Sequence, residues 1–299
     1  MRRYSIVLSL SSEWGIRLIC SVLGVCFSSF YAWRSGRTYQ DSNKVVARRS
    51  AVKTVFDEHR RRYGSRRIKA ELHETGIKIG RRKVIELMRA QGLKAIQPRS
   101  FVPRTTQSAH TKRSPNLLLD QERLEAPGQV LVGDITYIPL RGGSFAYLAV
   151  WQDMYTRQVV GWALDDNMRS ELIISALSKA LNQRKYPKGM IVHSDGGSQY
   201  GSEAFRNLLN KHKFKSSMTR NGNVYDNAMG ESFFSRLKGE VLEKGVFEHM
   251  EDANTELFDY LEVYYNTKRR HSALGNQTPD RFEANWEQQN KNSEKDKGN

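Results

Sequence analysis

Between Gln129 and Leu164 three β-rich runs, QVLVGDITYIPL, FAYLAVWQDM and QVVGWAL, follow one another across short Gly-containing or polar turns. Such spacing reads as a meander of antiparallel strands. The pattern then changes. A helix is expected over about Ser170 to Gln183, a buried strand in GMIVHSD, a helix near Ser202 to His212, a short strand near Phe214 to Met218 and a helix from Asp226 onward. A meander followed by alternating helices and strands specifies an α/β fold, a mixed five-stranded sheet flanked by helices.

Two acids sit where such a sheet makes them expensive. Strand alternation puts Val130, Val132, Asp134 and Thr136 on one face of the first strand, and an acid among apolar neighbours needs a partner. Asp195 ends the strand after Ile191 and Val192, with Gly196 and Gly197 behind it for a sharp turn. Strand ends of an open α/β sheet are where ligands bind. A third acid, Glu231, falls in the first turns of the helix begun by Asp226, with Phe234, Leu237 and Val241 available to pack that helix on the sheet. Carboxylates converging from two strands and one helix suit magnesium, which prefers oxygen ligands. Read singly, Asp134 is also explained as a buried hydrogen-bonded acid, Asp195 as a turn residue and Glu231 as a solvated helix acid.

Charge is distributed unevenly. Residues 1–113 carry 25 Lys and Arg against 7 Asp and Glu, a net of +18, while the remainder carries 23 against 25, a net of −2. A basic front end on a near-neutral back end reads as a nucleic-acid-binding module joined to something else, because Lys and Arg on phosphates release counterions. Within it, WGIRLICSVLGVCFSSFYAW over 14–33 has helical spacing broken at Gly24, the outline of either a helix-turn-helix or an ordinary helical hairpin. A helix from Asp41 to Arg62, closed at Gly64, is followed by a helical pair turning between Gly76 and Gly80. Arg81, Arg82 and Lys83 open its second helix, where a recognition helix presents side chains to DNA.

The expected organisation is a helix-turn-helix-like segment over 1–40, a basic helical DNA-binding module over 41–98, a linker with Pro103, Pro115 and Pro127 over 99–128, a core over 129–249, a C-terminal helix and basic loop over 250–283, and a disordered tail over 284–299. Cys20 and Cys26 have no second pair to complete a zinc site, and suit thiols in a reducing compartment. No stretch reaches the roughly 20 consecutive apolar residues of a membrane span. Trp14, Arg17 and the lack of a small-residue cleavage site argue against a signal peptide. A cytoplasmic protein, nucleoid-associated when bound, is expected.

The runs DITYIP, HSDGGSQYGS and NGNVYDNAMGESFFSRLK resemble the three signature blocks of the DDE transposases of the insertion-sequence-three family, in their OrfB component, related to the retroviral integrase catalytic core. Thirty-five residues separate Asp195 and Glu231, the spacing of that family. YGSRRI, DMYTRQVVGWAL and YYNTKRRHSALGNQTPDRFE extend the resemblance over roughly 14–283. Leu131 stands where the family commonly has tryptophan, a departure that affects packing and leaves Asp134 in place.

The resemblance implies a ribonuclease-H-like core in which Asp134, Asp195 and Glu231 hold magnesium, two ions per site with manganese as a substitute. It implies cleavage at element ends and strand transfer, through a circular intermediate, by a homo-oligomer on terminal-repeat and target DNA, with an upstream reading frame supplying a further segment. Lys238 matches the family's basic residue two helical turns after the glutamate, beside DNA phosphate, the alternative being a solvated helix lysine. Arg269 and Arg270, with His271 in the same run, would touch the DNA backbone, the alternative being a solvated loop; Tyr225 and Asn227 would meet the DNA end, although helix capping also explains Asn227. Asp153, in the turn of DMYTR, suits a structural turn or an Arg157 partner, and His193 a packing role. A ribonuclease-H-fold nuclease that only cuts and a catalytically inactive DNA-binding regulator are the rival readings.

Overall fold

The computed structural model describes residues 2–36, 43–96, 113–119, 121, 123–219, 228–242 and 245–297. The chain divides into two compact units, Met1–Lys94 and Ala95–Asn299.

The first unit is helical. Helices α1 (Arg2–Leu10), α2 (Ile16–Val22) and α3 (Phe27–Arg34) bury Val7, Ile19, Cys20 and Phe30 against one another. Gly24 turns the chain between α2 and α3 at φ +60°, where a side chain would be strained. Next come α4 (Asn43–Glu58), α5 (Ser65–Glu74) and α6 (Arg81–Ala90). Helix α4 stops well before Gly64, because Arg60 and Arg61 adopt positive φ and bring Tyr63 inward to stack on His59 at 3.6 Å. Gly76, at φ +83°, ends α5, and Ile68, Leu72, Val84, Leu87 and Met88 form the small core expected of the pair. Among the described residues no single helix is long and apolar enough to cross a membrane.

The second unit is built on one sheet. Strands β1 (Val130–Pro139), β2 (Phe145–Asp153) and β3 (Val159–Asp165) form the antiparallel meander, and β4 (Ile191–Ser194) and β5 (Lys215–Met218) add in parallel, in the order β3-β2-β1-β4-β5. This is the ribonuclease-H-like arrangement. Helix α7 (Ser170–Gln183) returns the chain from β3 and buries Leu172, Ile173, Ala176, Leu177 and Ala180 on the face carrying Leu131, Ala149, Trp151 and Val192. Its approach is close: a Cβ on Gly161 would lie 2.2 Å from the Ala176 carbonyl oxygen. Helix α8 (Glu203–His212) connects β4 to β5, with Ser202 capping its N-terminus through the Phe205 N–H.

The opposite face carries Val130, Val132 and Ile191, packed by Leu117, Leu118, Leu124 and by Met229 at the start of α9 (Ala228–Val241). The chain then forms α10 (Met250–Phe258), a π-helical turn over Asp259–Tyr265 and a long α11 (Pro279–Lys297). The tail expected to be disordered is therefore helical through Lys297. Phe282 and Trp286, one turn apart, both lie against Tyr155, Glu283 pairs with Arg184 at 2.7 Å, and the Trp286 indole donates to the Glu125 carbonyl at 2.8 Å. Composition missed this because two aromatic anchors suffice to hold the helix that the polar residues continue.

Candidate active site at the ends of two strands

Strand pairing decides which acids meet. β1 and β4 run parallel in a register that sets Gly133 against Ser194, so the next residues along the two chains, Asp134 and Asp195, come side by side. β4 ends at Ser194 while β1 continues to Pro139, leaving Asp134 half-buried where its parallel neighbour stops. Gly133 is needed one step earlier: a Cβ there would sit 2.3 Å from the Trp151 ring of the paired strand.

Asp195 accepts the Gly197 N–H at 2.9 Å. Burial pushes its carboxyl above the ordinary range, with the Gly197 N–H and the Arg113 guanidinium acting the other way. Beneath the pair, the buried Tyr200 ring packs on Trp151 and Phe205. Its phenol is raised well above the usual value by burial and then by the charges of Asp195 and Asp134. Both carboxylates act on Tyr200 and both are half-buried, a place where a cation's charge would favour their ionised forms.

Glu231 lies exposed in the first turn of α9, the helix whose Met229 packs on Val130 and Val132. Seven residues on, nearly two turns later on the same stripe, Lys238 reaches back to β1: its Nζ lies 5.2 Å from the Tyr137 ring centre. Burial lowers the ammonium's pKa, opposed by the charge of Asp134. The structure thus brings Lys238 to the first acid. It does not close Glu231 onto the aspartates, and no three His, Cys, Asp or Glu side chains among the described residues are grouped to hold a metal. Tyr225 and Asn227 lie outside the described residues.

Asp153 is a turn residue. It is fully buried and accepts the N–H groups of Gly128, Tyr155 and Thr156 at 2.6, 2.8 and 2.9 Å, although burial still pushes its carboxyl up. His193 is buried with its Nδ1 2.8 Å from the Ser217 hydroxyl, which agrees with a packing role.

Arg269 and Arg270 require a correction. Arg269 is 1 % exposed and pairs with Glu240 on α9, while Arg270 is buried and donates to the Asn276 carbonyl at 2.9 Å. Both serve internal structure; a basic run in sequence says nothing about which residues fold inward. Arg81 and Arg82 are exposed at the first turn of α6, with the Arg81 Nε 3.4 Å from Ser65, and Lys83 pairs with Glu86 at 2.9 Å.

Reading the residues in sequence also missed Arg113. The glycine pair after Asp195 suggests a sharp turn, yet neither glycine has positive φ. Gly196 is instead the floor for Arg113: a Cβ there would fall 2.5 to 2.7 Å from the guanidinium atoms. Only the glycine pair hints at a close approach.

Three stretches of the chain match family models: residues 44–101 an HTH-like domain, and residues 125–224 and 212–279 an integrase core domain. The chain is 40% identical over 232 residues to the transposase for insertion sequence element IS904 of Lactococcus lactis subsp. lactis, covering 78% of this chain and 91% of that one. It is 35% identical over 283 residues to transposase InsF for insertion sequence IS3A of Escherichia coli, covering 94% and 98%. Among solved structures, the HTLV-2 integrase catalytic core domain in complex with magnesium matches with a TM-score of 0.42 at 18% identity, over 54% of this chain and 99% of that one.

Proposed function

Since this chain belongs to the insertion-sequence-three family of transposases, we propose that Asp134, Asp195 and Glu231 are the acids that carry its DNA cleavage and strand transfer, and that the core works with magnesium, two ions per site. The observation that carries this reading is the parallel pairing of β1 and β4, which sets Asp134 beside Asp195 where β4 ends.

The donor set fits the ion. Two half-buried carboxylate groups at neighbouring strand positions, one pushed up by burial, offer hard oxygen ligands, and Glu231 adds a third from a helix packed on β1. When bound, divalent ions there supply positive charge opposite the attacking and leaving oxygens of an in-line phosphodiester displacement. The chain's own groups do the rest. Gly197 orients the Asp195 carboxylate through its N–H, and Lys238 offers an ammonium for a phosphate next to Asp134. Water attacks the phosphodiester at the element's end and releases a 3′-hydroxyl. That hydroxyl attacks a second phosphodiester, whose displaced 3′-oxygen leaves, so bonds broken and formed balance without a covalent protein link. Arg81, Arg82 and Lys83 contact terminal-repeat DNA, and the protein acts as a homo-oligomer on the two ends.

The test is incubation of the full chain with magnesium and labelled duplex taken from the DNA flanking its gene. Joined products are expected. Cut products without joining would reduce the protein to a nuclease, and shifted but uncut DNA would leave a regulator.

A further inference from the structure

Residues 113–118 run along the outer edge of β5. The Ser114 hydroxyl meets Ser216 at 2.9 Å, the Met218 N–H donates to the Pro115 carbonyl at 3.3 Å, and the Leu117 N–H donates to the Ser217 hydroxyl at 2.9 Å. Leu117 and Leu118 then pack onto the face bearing Val130, Val132 and Ile191. The segment is therefore anchored on the core by both its backbone and its side chains. This anchoring holds Arg113 in one place, its guanidinium over Gly196 in a space that any Cβ at 196 would occupy.

From this geometry we infer that Arg113 is a DNA-binding residue of the catalytic site, holding a backbone phosphate of the element end beside Asp195. A guanidinium gives a phosphate two parallel donors in fixed directions, which a carboxylate pair cannot offer and a lysine matches less well. Its charge also reaches Asp195, whose carboxyl it favours in the ionised form. Gly196 is then a specificity device for this contact: its missing side chain is the room in which the arginine lies. The inference rests on the reading of Asp134 and Asp195 as the site of cleavage.

The experiment uses the full chain, magnesium and a duplex carrying the element's terminal sequence, and measures the single-turnover cleavage rate below saturation, where it follows the binding constant, over a range of salt and magnesium concentrations. Arg113→Ala should slow cleavage about tenfold, the effect of removing one charge-assisted hydrogen-bonded pair. The dependence of log rate on log salt should become shallower by about 0.9. Arg113→Lys should restore part of the rate, and the unfolding midpoint should stay that of the parent. Gly196→Ala keeps the charge but displaces the guanidinium, and should reproduce the slower rate and the shallower salt dependence; it also decides the matter should Arg113→Ala fail to fold. Wild-type rate and salt slope in the variant that folds would overturn the inference. So would an unchanged salt slope together with half-maximal rate at lower magnesium, which would make Arg113 a neutraliser of Asp195 instead of a phosphate ligand. Asp195→Asn run in parallel separates the two readings: if it cleaves, the site assignment itself is wrong, whereas a dead Asp195→Asn beside an unaltered Arg113→Ala removes only the arginine.

Discussion

Arg269 donates to both oxygens of Glu240, from Nη2 at 2.6 Å and from Nε at 2.9 Å, and so ties the segment after the π-helical turn to helix α9, which carries Glu231 and Lys238. Tyr260 donates to the same carboxylate at 2.9 Å. Removing one partner strands the other charge in the interior, so Arg269→Met or Glu240→Leu should cost about 3 to 5 kcal/mol in denaturant unfolding of the full chain. The double change should recover much of that loss. Single variants as stable as the parent would mean that the pair is dispensable to the fold.

Asp134→Asn, Asp195→Asn and Glu231→Gln should each abolish cleavage and joining while leaving affinity for the element end nearly intact, because each removes one ligand charge at constant shape. Product gels alongside binding titrations check this. Near-normal activity in any one of them expels that residue from the trio, and Glu231 is the most exposed to this test because the structure leaves it apart from the aspartates.

Magnesium should stabilise the folded chain by mass action, about 2.7 kcal/mol at one hundred times its dissociation constant. A thermal scan with and without the ion reads this as a raised midpoint, which Asp134→Asn and Asp195→Asn should lose. Equal midpoints for the parent in magnesium and in chelator would contradict a resident ion at this site.

Lys238 and Asp153 form a matched contrast. Lys238→Ala should weaken binding of the element end and lower joining, and Lys238→Arg should recover part. Burial lowers the Lys238 pKa, so its charge is lost at a lower pH than the ordinary lysine value of about 10.4. Joining should therefore decline on the alkaline side, and Lys238→Arg, which stays charged, should move that decline upward. Asp153→Asn strands one of three backbone N–H groups and should cost about 1 to 3 kcal/mol of stability, while its folded fraction stays active. The opposite pattern, an active Lys238→Ala and a folded but dead Asp153→Asn, would move the site.

Arg81 and Arg82 stand exposed at the start of α6. Replacing both with Ala should weaken binding of the element end and make the salt dependence shallower by about 0.9 for each phosphate the pair neutralises. An unchanged salt slope would show that this helix end does not meet DNA.

The strands, helix α7 from Ser170 to Gln183 and the small core of α5 and α6 were all legible in the sequence, because each depends on apolar spacing within one element and a turn residue at its end. Asp134 and Asp195 stood out in the sequence as well, since a charged residue in or next to an apolar strand contrasts with its neighbours. Which acids become neighbours was not: Asp134 and Asp195 meet through the register of two strands distant in the chain. The same holds for Arg269, basic in sequence and buried against Glu240 in the fold, and for α11, held by Phe282 and Trp286 on Tyr155. Arg113 has no local signal at all; only the docking of its segment along β5 carries it to Gly196. Periodicity records which way a side chain faces within its own element, and pairing between elements depends on packing that no single stretch of residues contains.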